Sequence, residues 1–349
     1  MKKFAYVGCR TTKDRNARGR GLKVYSIDEE DNWEEIQLVE NVINPSYLCF
    51  DKNKEYLYTV HGDISSVSSF KICKDSGKLE YLNTVDSGGR NPVFITADKN
   101  NRYIYTAMLQ GGAVCTLKRN EDGSLTNPVF KANLPGKSRD SVSHAHQCLW
   151  DNSMQYLLVP AQGRRSGYSQ VNVFKANDDG SLTLVHCQKA REHDEPRHAV
   201  MNGSNRYAYV VNEKGNSVTF YEFNGSNGSL KPKQTNSTLP EDYRGKEQAS
   251  AILVHPNDRF LYVSNRIHDS ITIFAIDEST GFLSFSGNTP TLGKTPRFMT
   301  FNQKGTQLIA ANEDSDTINF FHVNHENGSL TFTGKTIETE SPVCVVFAD

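Results

Sequence analysis

A glycine turn that returns about every 50 residues constrains this chain more than any other feature of it. Its copies are Ser76-Gly77-Lys78-Leu79, Asp122-Gly123-Ser124-Leu125, Asp179-Gly180-Ser181-Leu182, Asn227-Gly228-Ser229-Leu230, Thr280-Gly281-Phe282-Leu283 and Asn327-Gly328-Ser329-Leu330. The glycine supplies the positive φ that a tight hairpin demands. A second feature keeps step with it: a polar turn, then Tyr56-Leu57-Tyr58, Tyr103-Ile104-Tyr105, Tyr156-Leu157-Leu158, Tyr207-Ala208-Tyr209, Phe260-Leu261-Tyr262 and, most weakly, Gln307-Leu308-Ile309. Another alternating strand follows each, as at Ser217-Val218-Thr219-Phe220-Tyr221. Four short strands per unit, turn signals between them and no helical period describe a propeller blade. Solenoids have shorter repeats.

Six complete units start near Pro45, Pro92, His144, Pro196, Ala249 and Pro296. Ahead of them lie three more strands, near 4–9, 22–27 and 33–38, and residues 342–347 read as an innermost strand with nothing after it. Joined, the two ends make a seventh blade. The sequence therefore predicts one all-β domain over residues 1–349, a seven-bladed β-propeller of four-stranded antiparallel blades. Pairing of the N- and C-terminal segments closes the ring and removes the exposed edges that invite aggregation. A six- or eight-bladed ring requires discarding or inventing a copy.

Composition excludes several functions. The 39 basic and 40 acidic residues nearly cancel, so no global field favours nucleic acid or an anionic membrane. No apolar run approaches the ~20 residues of a membrane span, and the N-terminus reads as a strand rather than a secretory signal. The seven cysteines are odd in number and include no Cys-x-x-Cys pair. Cys49, Cys115, Cys148 and Cys344 fall inside apolar strand patterns, where a reduced thiol packs as a small hydrophobe. Neither a disulfide framework nor a zinc site is expected, and a reducing cytoplasm fits best. Cys9, beside Arg10, reads as a packing residue, with a reactive thiol as the alternative. The sequence is silent on oligomeric state.

With strands A to D counted outward from the channel, the A–B and C–D turns lie on one face and are short. The B–C loops and D–A crossovers lie on the other and are long and charged. Function lives on loops held by a rigid scaffold, which makes the crossover face the candidate. Strand-A starts place His144-Ala145-His146, Pro196-Arg197-His198 and Pro296-Arg297 at the channel mouth. Strand-B ends add His61-Gly62-Asp63, Asn212-Glu213, Asn265-Arg266-Ile267-His268-Asp269 and Asn312-Glu313-Asp314. Guanidinium forks suit carboxylate or phosphate, and His or Glu moves a proton near neutral pH.

Plainer roles compete. Asp269, Asp314 and Asp316 are expected to cap turns. Arg197 and His198 should point opposite ways along a strand, leaving His198 divided between a structural bond and the channel. His144 and His146, two apart, should share a face. A metal held by that pair with Glu213 lacks a fixed third ligand. The basic loop 13–20, with Lys13, Arg15, Arg18 and Arg20, reads as solvated, reaching over the mouth being the alternative.

Several of these stretches resemble the lactonase family of seven-bladed propellers, which includes 6-phosphogluconolactonases and carboxymuconate cyclases. They are Tyr6-Val7-Gly8, Glu195-Pro196-Arg197-His198, Tyr209-Val210-Val211-Asn212-Glu213, Phe260 through Arg266 with His268-Asp269-Ser270, and Thr295-Pro296-Arg297. The resemblance implies lactone chemistry on a small anionic lactone or sugar acid, with no cofactor and no metal. By the same resemblance, His146 (or His144), Arg197, Glu213 and Arg266 are catalytic, with His268 and Arg297 as outer contacts; His144 and His198 are also expected to bind substrate. Departures cluster on one sector: Val60-His61-Gly62-Asp63 where relatives have an Asn-Glu, Met108-Leu109-Gln110 for an Asn-Tyr, and Ala161-Gln162-Gly163-Arg164-Arg165 without an Asp after Pro160. The expected activity is cofactor-independent hydrolysis of a sugar lactone, 6-phosphoglucono-1,5-lactone first. A lactonizing cycloisomerase of muconate-type diacids is the nearest rival, and a non-catalytic binding propeller the other.

Overall fold

A computed structural model of the chain describes residues 3–348. Six sheets are contiguous in sequence, and their innermost strands start at Pro45, Pro92, His144, Pro196, Ala249 and Pro296. The seventh is composite: Pro342–Ala348 is its innermost strand and pairs antiparallel with Lys3–Cys9, followed outward by Gly21–Ile27 and Trp33–Glu40. The predicted seven-bladed ring and its closure are thus what the chain forms. Below, this composite sheet is blade 1, and the blades after it are 2 to 7 in chain order.

The two periodic sequence features keep step because they meet between blades. The hydroxyl of Tyr6, buried in blade 1, donates to the carbonyl of Gly77 in the turn of blade 2 at 2.8 Å. Tyr209 does the same to Gly281 at 2.9 Å and Tyr262 to Gly328 at 2.8 Å. The glycine is required twice over at Gly123: φ is +85°, and a Cβ there would lie 2.0 Å from the Tyr56 ring. Each fully buried aromatic contributes on the order of 1.5–3 kcal/mol, provided its hydroxyl is satisfied.

A further regularity bears on function. In five blades the innermost strand starts with a proline, and one extra residue is inserted just after it: Ser46, Val93, Arg197, Arg297 and Val343. In the composite blade, for example, Gly8 pairs with Cys344 and Cys9 with Pro342, which skips Val343. Blade 6 shifts register between Ala249 and Ile252. Blade 4 breaks outright, its inner strand reduced to His144–Ala145 and Leu149–Trp150. Such bulges re-aim a side chain that strict alternation would hide. The residue before each proline has positive φ: Asn44 (40°), Asn91 (57°), Glu195 (53°), Thr295 (59°) and Ser341 (46°).

Candidate active site

Two tiers of side chains follow from this geometry. The bulge residues form the lower tier. The upper tier is the residue just past each second strand: Arg10, Gly62, Leu109, Gly163, Glu213, Arg266 and Glu313. Backbone bonds fix it. The N–H groups of Arg10, Gly62, Leu109, Glu213, Arg266 and Glu313 donate to Ser341, Asn44, Asn91, Glu195, Gln248 and Thr295 at 2.9–3.0 Å.

Below the mouth lies a narrow cavity of about 20 Å³, room for about one water molecule. Bulge residues Ser46, Val93, Arg197, Arg297 and Val343 line it, with Arg10, Tyr47, His146, His198 and Phe298.

Opposite charges alternate around the mouth. Glu213 Oε1 is 3.0 Å from Arg266 Nη2, and its Oε2 is 3.4 Å from Arg197 Nε. Gln162 Nε2 also donates to Oε2 at 2.8 Å. Burial alone would raise this carboxyl, but Arg266 and Arg197 overcome it and hold Glu213 down at about 2. Glu313 stands 3.3 Å from Arg297 Nη1 and 3.7 Å from Arg10 Nε, and these guanidiniums likewise keep it below the usual range against the opposing effect of burial. Arg197 Nη1 donates to the Ser250 carbonyl at 2.9 Å and lies 3.3 Å from His198 Nδ1.

The two imidazoles are neutral. His146 and His198 are buried with ring centroids 5.1 Å apart. Burial first, then the nearby Arg197, pushes both well below the ordinary histidine value. His146 Nδ1 and His198 Nε2 are buried with no hydrogen-bond partner among the described residues. Polar atoms left open in a cavity wall await a ligand or water.

Of the residues expected at the mouth, the structure brings together His146, Arg197, His198, Glu213, Arg266 and Arg297. Arg197 and His198 do not point opposite ways as expected: the bulge at Arg197 cancels the alternation, and both reach the cavity. His144 and His146 do not act as a pair, because the strand stops at Ala145, between them. His144 is half-buried, its Nδ1 2.7 Å from the Leu109 carbonyl. His268 stands aside too, its Nδ1 2.7 Å from Ser270 Oγ and its ring against Tyr243.

Asp269, Asp314 and Asp316 accept from Thr295 N, Thr295 Oγ1 and Ser341 N, capping turns as expected. Loop 13–20 takes the alternative reading and reaches over the mouth. Arg15 pairs with Asp63, while Arg18 bonds Asp316 at 2.6 Å and the Glu313 carbonyl at 2.8 Å. Cys9 is a packing residue, fully buried, with burial pushing its thiol up to about 12.

Arg10 and Tyr47 belong to the site and were not anticipated. Arg10 follows Cys9 just as Glu213 follows Asn212, but its blade is split between the chain ends, which hides that register. No group of three or more His, Cys, Asp or Glu among the described residues is arranged to hold a metal ion.

The family model for "Lactonase, 7-bladed beta-propeller" matches residues 4–347. A 6-phosphogluconolactonase of Bacillus subtilis (strain 168) is 31% identical over 352 residues, covering 99% of this chain and 98% of that protein. One of Formosa agariphila is 30% identical over 85% of this chain and 86% of its own. Among solved structures, a periplasmic gluconolactonase of Pseudomonas aeruginosa shares the fold with a TM-score of 0.90 at 24% identity, covering 100% of this chain and 99% of that one. The repeat, the closed ring and these matches over nearly the whole length agree, and the chain belongs to the lactonase family of seven-bladed β-propellers.

Proposed function

We propose that the protein hydrolyses a sugar lactone, 6-phosphoglucono-1,5-lactone, to the open acid 6-phosphogluconate. The observation carrying this reading is that Arg197, which lines one cavity with His146, is tied through Glu213 to Arg266. Relatives named for that reaction support it.

Each group has a task suited to its state. His146 is an uncharged base at neutral pH, with an open ring nitrogen, and takes a proton from the attacking water. Arg197 and Arg266 donate to the oxygen that becomes negative as water adds to the lactone carbonyl. His146 then returns its proton to the ring oxygen as the carbon–oxygen bond breaks. Glu213, already bound on both oxygens, is a weak base, and its role is to hold the two guanidiniums in place. His198 stacks edge-on against His146 and fixes its ring. Seven unpaired cysteines support a reducing, cytoplasmic setting for this work.

Acid release from freshly prepared lactone, followed with purified protein, tests the proposal. Arg266→Ala should lower kcat about 10²–10³-fold, the usual cost of an oxyanion donor. A folded Arg266→Ala protein with full turnover ends the proposal. A muconate-type diacid offered to the same preparation separates hydrolysis from lactonization.

A further inference from the structure

The interlock that joins one blade to the next is missing from one seam of the ring. At the other six, an aromatic ring at the start of a second strand packs against the glycine in the turn of the following blade. Phe4 meets Gly77, Tyr56 meets Gly123, and so on to Phe260 and Gly328, and a Cβ on each glycine would lie within 2.9 Å of that ring. Between blade 7 and blade 1, where the chain ends meet, neither partner is present. Gln307 starts the second strand of blade 7, and the turn at residues 28–32 of blade 1 contains no glycine. Two residues on, Ile309 stands where Tyr6, Tyr209 and Tyr262 donate a hydroxyl to the next turn.

Space opens there. A pocket of about 260 Å³ is walled by Ile27, Trp33, Ile309, Phe320 and Phe347, with Gln307 beside them. An apolar cavity of about 150 Å³ already takes one benzene ring. Trp33 meets Phe320 at 5.5 Å and Phe347 at 5.7 Å between ring centroids, both edge-on. Trp33 itself departs from the repeat. It pairs with Ile27 in the register at which Leu79, Leu283 and Leu330 pair with Ile72, Ile276 and Val323. Leucine fills that place with no polar atom to satisfy, whereas the Trp33 indole N–H is buried without a hydrogen-bond partner among the described residues. Packing alone favours leucine, so the indole is an added aromatic wall rather than a better plug.

Charge does not choose the ligand. Lys3 and Lys304 line the pocket together with Asp31, which Lys335 Nζ holds at 3.0 Å. Asp28, Glu29 and Glu30 lie in the same turn as Asp31. Opposite signs so close together favour neither an anion nor a cation. Gln307, half-buried, offers an amide that both donates and accepts.

We infer that the seam between blades 7 and 1 is a binding site for a small uncharged aromatic molecule with a hydrogen-bonding edge, such as a phenol. Its ring takes the place that the chain's own tyrosine or phenylalanine holds at the other seams. The turns at 302–306 and 28–32 build the site, on the face of the ring opposite the crossover loops, so it is separate from the chemistry at the mouth.

Calorimetric titration with 2-naphthol tests this. The unaltered protein should bind it saturably at concentrations up to about 1 mM, and should bind 2-naphthoate and (2-naphthyl)methylammonium at least tenfold more weakly. Gln307→Phe, which restores the ring that blade 6 has at this position, should weaken 2-naphthol binding at least tenfold without lowering Tm. Trp33→Leu, which restores the residue of the other blades, should weaken it likewise. Arg266→Ala, altered only at the mouth, should bind 2-naphthol as the unaltered protein does. Absence of binding to the unaltered protein overturns the inference. So does unchanged binding by a folded Gln307→Phe or Trp33→Leu protein, or its loss in Arg266→Ala. Equal or tighter binding of either charged counterpart overturns the assigned ligand class.

Discussion

His146 and Glu213 show how surroundings assign roles to groups that the sequence offers as equals. Both are able to take a proton in principle. The structure surrounds Glu213 with Arg197, Arg266 and Gln162, and leaves His146 Nδ1 open and uncharged. His146→Gln should therefore cost about 10²–10⁴ in kcat, the range for a lost general base, with the fold kept as judged by circular dichroism. Glu213→Gln should act instead through the arginines, raising KM along with lowering kcat. Because the folded protein depresses His146, the free base persists on acidification, and the acid limb of kcat/KM should fall below the ordinary imidazole pKa of about 6.5. A limb at or above that value removes His146 from the base role.

Stability carries the same signs. His61, His146 and His198 bind protons less readily folded than unfolded, so stability from these groups is complete above about pH 6.5 and declines as pH falls below it. Glu213 contributes above its unfolded value of about 4.5 and loses that contribution on the way down towards about 2. Chemical denaturation at pH 7.5, 6 and 5 should show a stepwise fall. A stability flat across that range contradicts the burial of neutral imidazoles.

At the scale of strands, the bulge after each initial proline is what the sequence did not disclose. Blade starts at Pro45, Pro92, Pro196 and Pro296 were legible because proline and the polar turns punctuate the chain. Strict alternation is then the natural assumption, and it leaves His198 divided between a structural bond and the channel. The break after Ala145 separated His144 from His146 for a related reason: a two-residue strand cannot hold a register. Close approach between strands is similarly silent in sequence. A Cβ on Gly8 would lie 2.0 Å from the Pro45 carbonyl oxygen in the next blade. Gly8→Ala should cost about 1–3 kcal/mol, the range for overpacking, seen as a lowered Tm with little change in secondary structure.

For the whole molecule, the ring was readable because every blade repeats one pattern, and the contents of its mouth were readable only in part because each blade there differs. Blades 5 to 7 announce themselves through Asn-Glu, Asn-Arg and Asn-Glu. Blade 1 assembles from both chain ends, so the register that aligns Arg10 with Glu213 shows only where Cys9 pairs with Pro342. Removing residues 342–348 deletes the inner strand against which Phe4–Cys9 pair, along with Val343 from the cavity wall. The shortened chain should lose its single cooperative melting transition and elute as aggregates, since an unpaired strand edge is left open.

The skipped residue in five of the inner strands also separates two demands that usually conflict. Ser46, Val93 and Val343 are passed over by the interstrand ladder, yet each faces whatever enters the channel. Selection can therefore rewrite what the ring accepts, one letter per blade, without renegotiating how the blades hold together.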